Sequence, residues 1–351
     1  MRSLILLGLL IPQFAFSQIQ KDSIHFSGYT EIYFSQDQHN WNDHERPEFL
    51  YSHTSTNHFA LNTAVIDFKY SSERLKTQFS LVEGTYANKV TSAEPIGFGA
   101  LYVGNISYKL SPSKDFWLQA GVFPSHIGLE SAIGFSNLSM TRSLAAENSP
   151  YYESGLNLQY TSKNNKWFGS LLLLNGWQTM TLTPQQTLPG LGTQVQFKPN
   201  SKITLNHSTY LGEVAVLDSS QLRMFQNLYA SILLKDKWTL QLQADYGIQE
   251  TGKTGFDNHW VTGFIGMAYK VNEKLSLVGR GELFKDTNNL VIAGVINDLW
   301  GYSFNVNYLL DKHLMFRAEW RNITSNKYSF TFQNFSEKHM NGLNLSLAAQ
   351  F

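Results

Sequence analysis

Apolar and polar side chains alternate along most of this chain, in segments of about ten to thirteen residues. Because successive side chains of a β-strand point to opposite faces, each segment predicts a strand with one apolar and one polar face. Residues 238–248 show the pattern: the apolar positions are Trp238, Leu240, Leu242, Ala244, Tyr246 and Ile248, and between them lie Thr239, Gln241, Gln243, Asp245 and Gly247. Such strands are typical of sheets that meet lipid on one side and water on the other.

Connections between these segments are of two kinds, which alternate along the chain. Tight polar turns are predicted at residues 71–73, 111–113, 163–165, 199–200, 236, 272–273 and 311–312. Longer loops are predicted near residues 37–57, 87–97, 126–150, 177–189, 214–222, 250–258, 287–297 and 324–338. A sheet that spans a membrane must close on itself, because unpaired strand edges are costly in lipid. We therefore predict an all-β fold, a transmembrane antiparallel up-and-down β-barrel of roughly sixteen strands, within a range of about 14 to 18.

Aromatic residues cluster where the predicted strands end, as at the two interfaces of a membrane. Those beside the tight turns or the terminus are Tyr70, Tyr108, Phe116, Tyr160, Trp167, Phe197, Trp238, Tyr269, Tyr308 and Phe351. Those toward the long loops are Phe59, Tyr86, Phe98, Trp177, Tyr246, Trp260 and Trp300. This distribution predicts two aromatic girdles on the outside of the barrel.

The first residues have the features of an export signal. Arg2 precedes an apolar run from Leu4 to Ile11, and residues 15–17 form a small-x-small cleavage site. We predict a signal peptide at 1–17 and a single barrel domain at 18–351. The chain has no cysteine, and 27 basic residues balance 27 acidic ones. Thiol chemistry is thereby excluded, and nothing favours a nucleic-acid partner. Outer-membrane lipid of a Gram-negative bacterium is the predicted environment.

The segment from Phe116 to Trp177 resembles the OmpL-like β-barrel porins of Bacteroidota and their relatives. The resemblance rests on Gly121-Val122-Phe123, Ile127-Gly128-Leu129-Glu130, Thr141-Arg142-Ser143, Pro150-Tyr151-Tyr152, Gly155-Leu156 with Tyr160, and Asn175-Gly176-Trp177. It implies a porin-like outer-membrane protein, with no catalytic or metal site and no cofactor to carry over. The terminal Phe351 is similar to the signal that the barrel-assembly machinery reads. Homotrimers are common among porins, so the resemblance also suggests a homotrimer.

Charged residues at polar positions of the strands are the candidates for the pore lining. They are Glu31, Asp67, Lys69, Asp245, Arg280, Glu282, Arg317, Glu319 and Arg321. An Arg or Lys that faced lipid at mid-depth would cost about 2–4 kcal/mol, so these side chains are predicted to point inward. There they either set ion selectivity or form salt bridges that brace the wall.

The third long loop, residues 126 to 150, carries Glu130, Arg142 and Glu147 among many apolar residues. A loop exposed only to water would not need those apolar groups. We expect it to fold into the barrel and narrow it, with Arg142 facing wall charges across the opening. The alternative is a lid on the outside of the barrel.

Two alternatives concern other chemistry. The first long loop holds His39, His44, His53 and His58 among carboxylates, but their spacing fits no tight metal-ligand pattern, and a solvated surface loop is favoured. An outer-membrane phospholipase would need a serine within reach of a histidine. The one close cluster is residues 206–209, where His207 and Ser208 would point to opposite faces of a strand.

These patterns favour a porin that allows passive diffusion of small polar solutes and ions through a water-filled lumen. An enzyme and a structural or adhesive barrel remain the alternatives, although a purely structural barrel would more typically be smaller, with a packed interior. The balanced charge gives no basis for anion or cation selectivity, and the sequence identifies no solute.

Overall fold

The computed structural model describes residues 22–351 except 96, 183, 217–218, 252–257, 287, 293–297, 328–329 and 333–334. The predicted signal peptide at 1–17 lies outside the described residues. None of the helices in the described part is long and apolar enough to cross a bilayer.

Sixteen antiparallel strands form one closed barrel. Each strand pairs with its neighbours in the chain, and the first strand pairs with the last, so that the sheet has no free edge. This arrangement confirms the predicted up-and-down barrel. The first eight barrel strands are β1 (Ser23–Asp37), β2 (Phe59–Ser71), β3 (Leu75–Glu83), β4 (Leu101–Lys109), β5 (Asp115–Pro124), β6 (Tyr152–Thr161), β7 (Trp167–Leu174) and β8 (Gly190–Asn200).

The other barrel strands are β9 (Ile203–Val216), β10 (Ser219–Leu234), β11 (Trp238–Gln249), β12 (Asn258–Lys270), β13 (Leu275–Lys285), β14 (Asp298–Asp311), β15 (Leu314–Ser325) and β18 (His339–Gln350). The two-residue strands β16 (Phe330–Thr331) and β17 (Ser336–Glu337) pair with each other between β15 and β18. Two short helices lie in long loops, α1 (Thr85–Val90) after β3 and α2 (Leu144–Glu147) between β5 and β6.

Alternation along each strand separates the outside of the barrel from its lumen. In β14, for example, Trp300, Phe304 and Leu310 are exposed on the outer surface, whereas Ser303 and Asn305 are buried inside. Large apolar side chains are exposed on every barrel strand except β5, where the outward positions are half-buried or small. This apolar surface suits contact with lipid.

The long loops lie at one end of the barrel and the tight turns at the other, as predicted, with one exception. The prediction of a long loop at residues 214–222 is wrong, because β9 extends to Val216 and β10 begins at Ser219. The described residues of this range belong to two of the longest strands, which continue their pairing beyond the length that a membrane requires.

Aromatic side chains form the expected girdle at the tight-turn end. Trp167 stacks on Phe197, with ring centroids 4.2 Å apart, and Trp238 lies 4.5 Å from Tyr269. At the long-loop end Phe59, Tyr246 and Trp300 are exposed, as expected. The assignment of Tyr86, Trp177 and Trp260 to this outer girdle is wrong. Tyr86 and Trp260 are buried, and Trp177 packs against an apolar cluster inside the barrel.

Two glycines shape the wall where the chain enters and leaves the third loop. Gly121 in β5 and Gly155 in β6 lie opposite each other and have φ angles of +123° and +149°. A Cβ at Gly121 would collide with the Gly104 carbonyl oxygen, and one at Gly155 with that of Leu173. Only glycine fits these conformations without strain.

Candidate pore

The third loop, which connects Pro124 to Tyr152, lies inside the barrel. Its backbone forms hydrogen bonds with inward-facing side chains of strands β9, β10, β11, β13, β14 and β15. The expectation that this loop folds into the lumen is therefore confirmed, and the outside lid is excluded.

Charged residues of β13 and β15 hold the middle of the loop. Arg280 donates to the Thr141 carbonyl oxygen at 2.6 Å, and Glu319 accepts from the Thr141 amide at 2.7 Å. Glu282 accepts from the Leu144 amide at 2.7 Å and pairs with Arg321 at 2.8 Å. These four wall residues are buried. These four predicted pore-lining residues therefore bind the loop and one another.

Arg317 of β15 is fully buried and anchors the loop before Thr141. Its Nη1 donates to the Gly134 carbonyl oxygen at 2.8 Å, and its Nη2 donates to that of Asn137 at 2.7 Å. Glu130, a loop residue, accepts from the Ser143 amide at 2.8 Å and lies 3.7 Å from Arg280. The loop thus has a defined position across the lumen.

The first part of the loop is held from the other side of the barrel. Ser208 donates to the His126 carbonyl oxygen at 2.7 Å, and Gln243 accepts from the Leu129 amide at 3.0 Å. Asp245 is buried and accepts from Asn227 and Gln243. Its carboxylate therefore orients the amides that bind the loop and does not face an open channel.

Arg142 does not face wall charges across an opening, and that expectation is wrong. Its guanidinium lies 4.2 Å from the centroid of the Tyr151 ring and 5.8 Å from that of Tyr86. The wall residues Arg280 and Glu282 instead bind the loop backbone on either side of it, at Thr141 and Leu144. Sequence alternation places strand residues on a face, but it does not orient a side chain within a loop.

The remaining candidates lie in three places. Glu31 is buried 3.4 Å from His53 of the first loop and accepts from Asn62 at 2.8 Å. Asp67 and Lys69 form a 2.8 Å ion pair at the tight-turn end, where half of the Lys69 side chain is exposed. Glu147 joins the third loop to the first, since it accepts from the Tyr51 amide at 2.8 Å and from Ser52. Burial raises the pKa of Glu147 above its ordinary value.

The first long loop also enters the barrel, so the expectation of a solvated surface loop is wrong. Arg46 and Asp37 form a buried ion pair, and His53 is buried beside Glu31. His39 instead lies near Glu337, 3.3 Å away. No group of three or more potential ligands that could hold a metal ion occurs in the described part of the chain.

Apolar side chains fill much of the lumen at the long-loop end. The cluster combines Trp41, Phe49, Leu50, Ile127, Leu144, Ile292, Phe330 and Phe332 from the connecting segments with Phe123, Leu172, Leu174, Tyr210, Phe225, Trp260, Phe284, Leu299, Ile323 and Met340 from the wall. Trp41 lies 4.2 Å from Phe332, with its Nε1 donating to Asp37 at 2.5 Å. We name this group the outer apolar cluster. Sequence reasoning missed it, although alternation fails at the outer ends of strands, as in Leu171-Leu172-Leu173-Leu174.

Uncharged polar side chains line the wall from β4 to β11. Gln194 donates to Asn206 at 2.8 Å, Gln159 to Gln119 at 3.0 Å, and Gln119 to Asn105 at 3.1 Å. These carboxamides were not among the predicted pore residues, because only charged residues were selected. Their inward strand positions were the signal that could have identified them.

His126 begins the third loop in a buried site. Its Nδ1 lies 2.8 Å from Glu153, and its Nε2 lies 2.8 Å from the Thr209 carbonyl oxygen. Burial alone would lower the pKa of His126, but the Glu153 carboxylate and the Thr209 carbonyl together raise that pKa above its usual value. With two acceptors at its two ring nitrogens, the imidazolium is the form that this site favours.

His207 and Ser208 point to opposite faces of β9, as expected. His207 lies 3.4 Å from Gln226 on the outer surface, whereas Ser208 is buried and donates to the His126 carbonyl oxygen. This pair therefore lacks the geometry of a serine hydrolase.

The family model described as "Putative beta-barrel porin-2, OmpL-like" matches residues 23–351 of this chain. Similar solved structures include the anion-selective porin from Comamonas acidovorans, with a TM-score of 0.64, 10% identity, and coverage of 94% of this chain and 100% of that one. OmpF of Salmonella typhi in complex with daunomycin has a TM-score of 0.64 at 11% identity, covering 93% and 97%. The trimer form of OmpT of Vibrio cholerae has a TM-score of 0.57 at 10% identity, covering 94% and 99%. A comparison with curated proteins finds no significant match.

Proposed function

Since this chain belongs to the OmpL-like β-barrel porin family and is an outer-membrane porin, we propose that it allows passive diffusion of small polar solutes through a lumen that its third loop narrows. The observation that carries the proposal is the position of that loop, which is bound to inward-facing residues on several sides of the barrel. A loop held at this depth reduces the cross-section of the channel, and pore diameter is one basis of porin selectivity.

Open space at the tight-turn end, with charged and polar residues in its lining, supports an aqueous entrance. A cavity of about 560 Å³ is lined by Asp67, Lys69, Gln78 and Ser80, among others. A second cavity of about 460 Å³ lies between the third loop and the turns around residues 236–237 and 272–276. We name the first of these the vestibule. Small hydrated solutes fit both spaces.

We assign different roles to the predicted pore charges. Five residues brace the third loop, because each forms a hydrogen bond or an ion pair with it or with another of the five: Arg280, Glu282, Arg317, Glu319 and Arg321. Glu31 and Asp245 hold neighbouring polar groups in the same way. Lys69 and Asp67 line the vestibule, where they can influence permeating ions.

Shortening the third loop tests the proposal. Removing residues 131–147 should raise single-channel conductance in planar bilayers, because the segment bound to Arg280 and Arg317 leaves the lumen. Heat-modifiable migration in gel electrophoresis, in which the folded barrel and the heated, unfolded chain run differently, checks that the shortened barrel folds. A shorter deletion within residues 177–189, the fourth long loop, is the control and should change conductance less. Equal conductance of wild-type and shortened channels would discard the constriction.

Export and assembly complete the proposal. We propose that residues 1–17 are removed as a signal peptide, which N-terminal sequencing of the mature protein from Gln18 would support. The barrel-assembly machinery would read the terminal strand, where Phe351 packs against Phe26 with ring centroids 6.2 Å apart.

A homotrimer is the proposed oligomeric state, because the chain belongs to a porin family and a similar porin has a trimer form. Cross-linking that yields only monomers would reject it.

A further inference from the structure

Arg142 is a buried cation that forms no ion pair with the described residues. It is 5% exposed, and its Nε and Nη1 have no hydrogen-bond partner in the described part of the chain. Its Nη2 donates to the carbonyl oxygens of Glu130 and Ala146 over long distances, 3.4 and 3.5 Å. A buried guanidinium is normally paired with a carboxylate or hydrogen-bonded throughout, so this site lacks a partner.

Other arginines inside the barrel have stronger partners. The ion pairs and hydrogen bonds are Arg46 with Asp37, Arg280 with Glu319, Arg321 with Glu282, Arg317 with the carbonyl oxygens of Gly134 and Asn137, and Arg223 with Gln249. Arg142 is therefore buried like these arginines, but it lacks an ion pair or a short hydrogen bond.

Arg142 lines a cavity of about 200 Å³ together with Tyr102, Ser125, Glu130, Ser131 and Tyr151. Tyr102 and Ser131, with Pro124, also line the vestibule. The two spaces are therefore adjacent, so the cavity that Arg142 lines lies next to the vestibule. The volume suits a small ion with a few water molecules.

The neighbouring acidic groups are directed elsewhere. Glu147 accepts from Tyr51, Ser52 and the Tyr151 hydroxyl, and Glu130 accepts from Ser143. Burial raises the pKa of Glu147 and the nearby Arg142 opposes that rise, but the Glu147 carboxylate forms its hydrogen bonds with groups other than Arg142. The guanidinium of Arg142 lies over the Tyr151 ring, 4.2 Å from the ring centroid, and this cation–π contact stabilises its charge.

We propose that Arg142 and this cavity form a binding site for a small oxyanion, such as a carboxylate or phosphate, that enters from the vestibule. A guanidinium donates charge-assisted hydrogen bonds to these groups, and two donors of Arg142, Nε and Nη1, have no hydrogen-bond partner in the described part of the chain. A role for this site in transport rests on the proposed porin function, and it would make small oxyanions a favoured class of solute. Binding itself does not depend on conduction.

Calorimetric titration of the full detergent-solubilised protein tests the site directly, with sodium phosphate and sodium acetate as probes against sodium chloride. Arg142→Gln should weaken binding at least about tenfold, which corresponds to about 1.4 kcal/mol. Arg223→Gln is the matched control, because Arg223 is also buried and stacks on aromatic rings but does not line the cavity. Its affinity should stay within about twofold of wild type. Equal affinity in Arg142→Gln and wild type would overturn the site, as would wild-type protein that binds neither probe.

The anion site and the porin function fail separately. A protein that conducts but binds neither probe would retain the porin function and lose the anion site. Anion binding without conduction would reject the porin function alone.

Discussion

His126 makes one buried contact of the third loop dependent on pH. Its folded-state pKa is raised by Glu153 and the Thr209 carbonyl, so protonation stabilises the folded barrel. This stabilisation is fully present below the unfolded pKa, about 6.5, and is lost as pH rises through the higher folded-state value. We expect the thermal midpoint of wild-type protein to fall over that range, and that of His126→Gln to change less. Parallel pH profiles of the two proteins would contradict this assignment.

The bracing role of Arg280 can be measured through stability. Arg280→Met would leave Glu130, Glu282 and Glu319 without their shared cation, and breaking such a buried pair costs about 3–5 kcal/mol. Lys198→Met changes an exposed residue and should stay within about 0.5 kcal/mol. Urea unfolding in detergent compares the two. A small loss in Arg280→Met together with an altered reversal potential would instead assign Arg280 to selectivity.

At the scale of single elements, β5 and β6 depend on glycine where they border the third loop. Gly155→Ala should destabilise the barrel by about 1–3 kcal/mol, because the φ angle is unfavourable and the new Cβ meets the Leu173 carbonyl oxygen. Gly279→Ala in β13 is the matched control, since a Cβ there meets nothing within 4 Å. If the two variants had the same unfolding midpoint, alanine at residue 155 would not be strained in the β6 conformation.

The strands could be predicted from the sequence because lipid and water impose the same alternation along each of them. Residues 238–248 illustrate this, since every outward and inward position was assigned correctly. The candidate site was less predictable. The inward direction of Arg280 and Glu319 followed from alternation, but their partner, the Thr141 backbone, lies some 140 to 180 positions away in the chain. Loop residues such as Arg142 and His53 have no periodic constraint, so their surroundings required the folded structure.

On the scale of the whole molecule, the lumen contains open space at the tight-turn end and is filled by apolar side chains at the long-loop end. The vestibule lies at one end, and the outer apolar cluster joins several connecting segments to the wall at the other. Apolar burial of this kind stabilises the inward position of the loops. We expect passage of solute to require movement of those segments, and therefore a channel that opens intermittently.

Single-channel recording of the purified full-length mature protein in planar bilayers, under a salt gradient, tests the porin account most directly. The account predicts discrete conductance steps separated by closed intervals, with a reversal potential that reports the charge preference of the lumen. Protein that migrates as a folded barrel and yet gives no conductance steps at either polarity would contradict it.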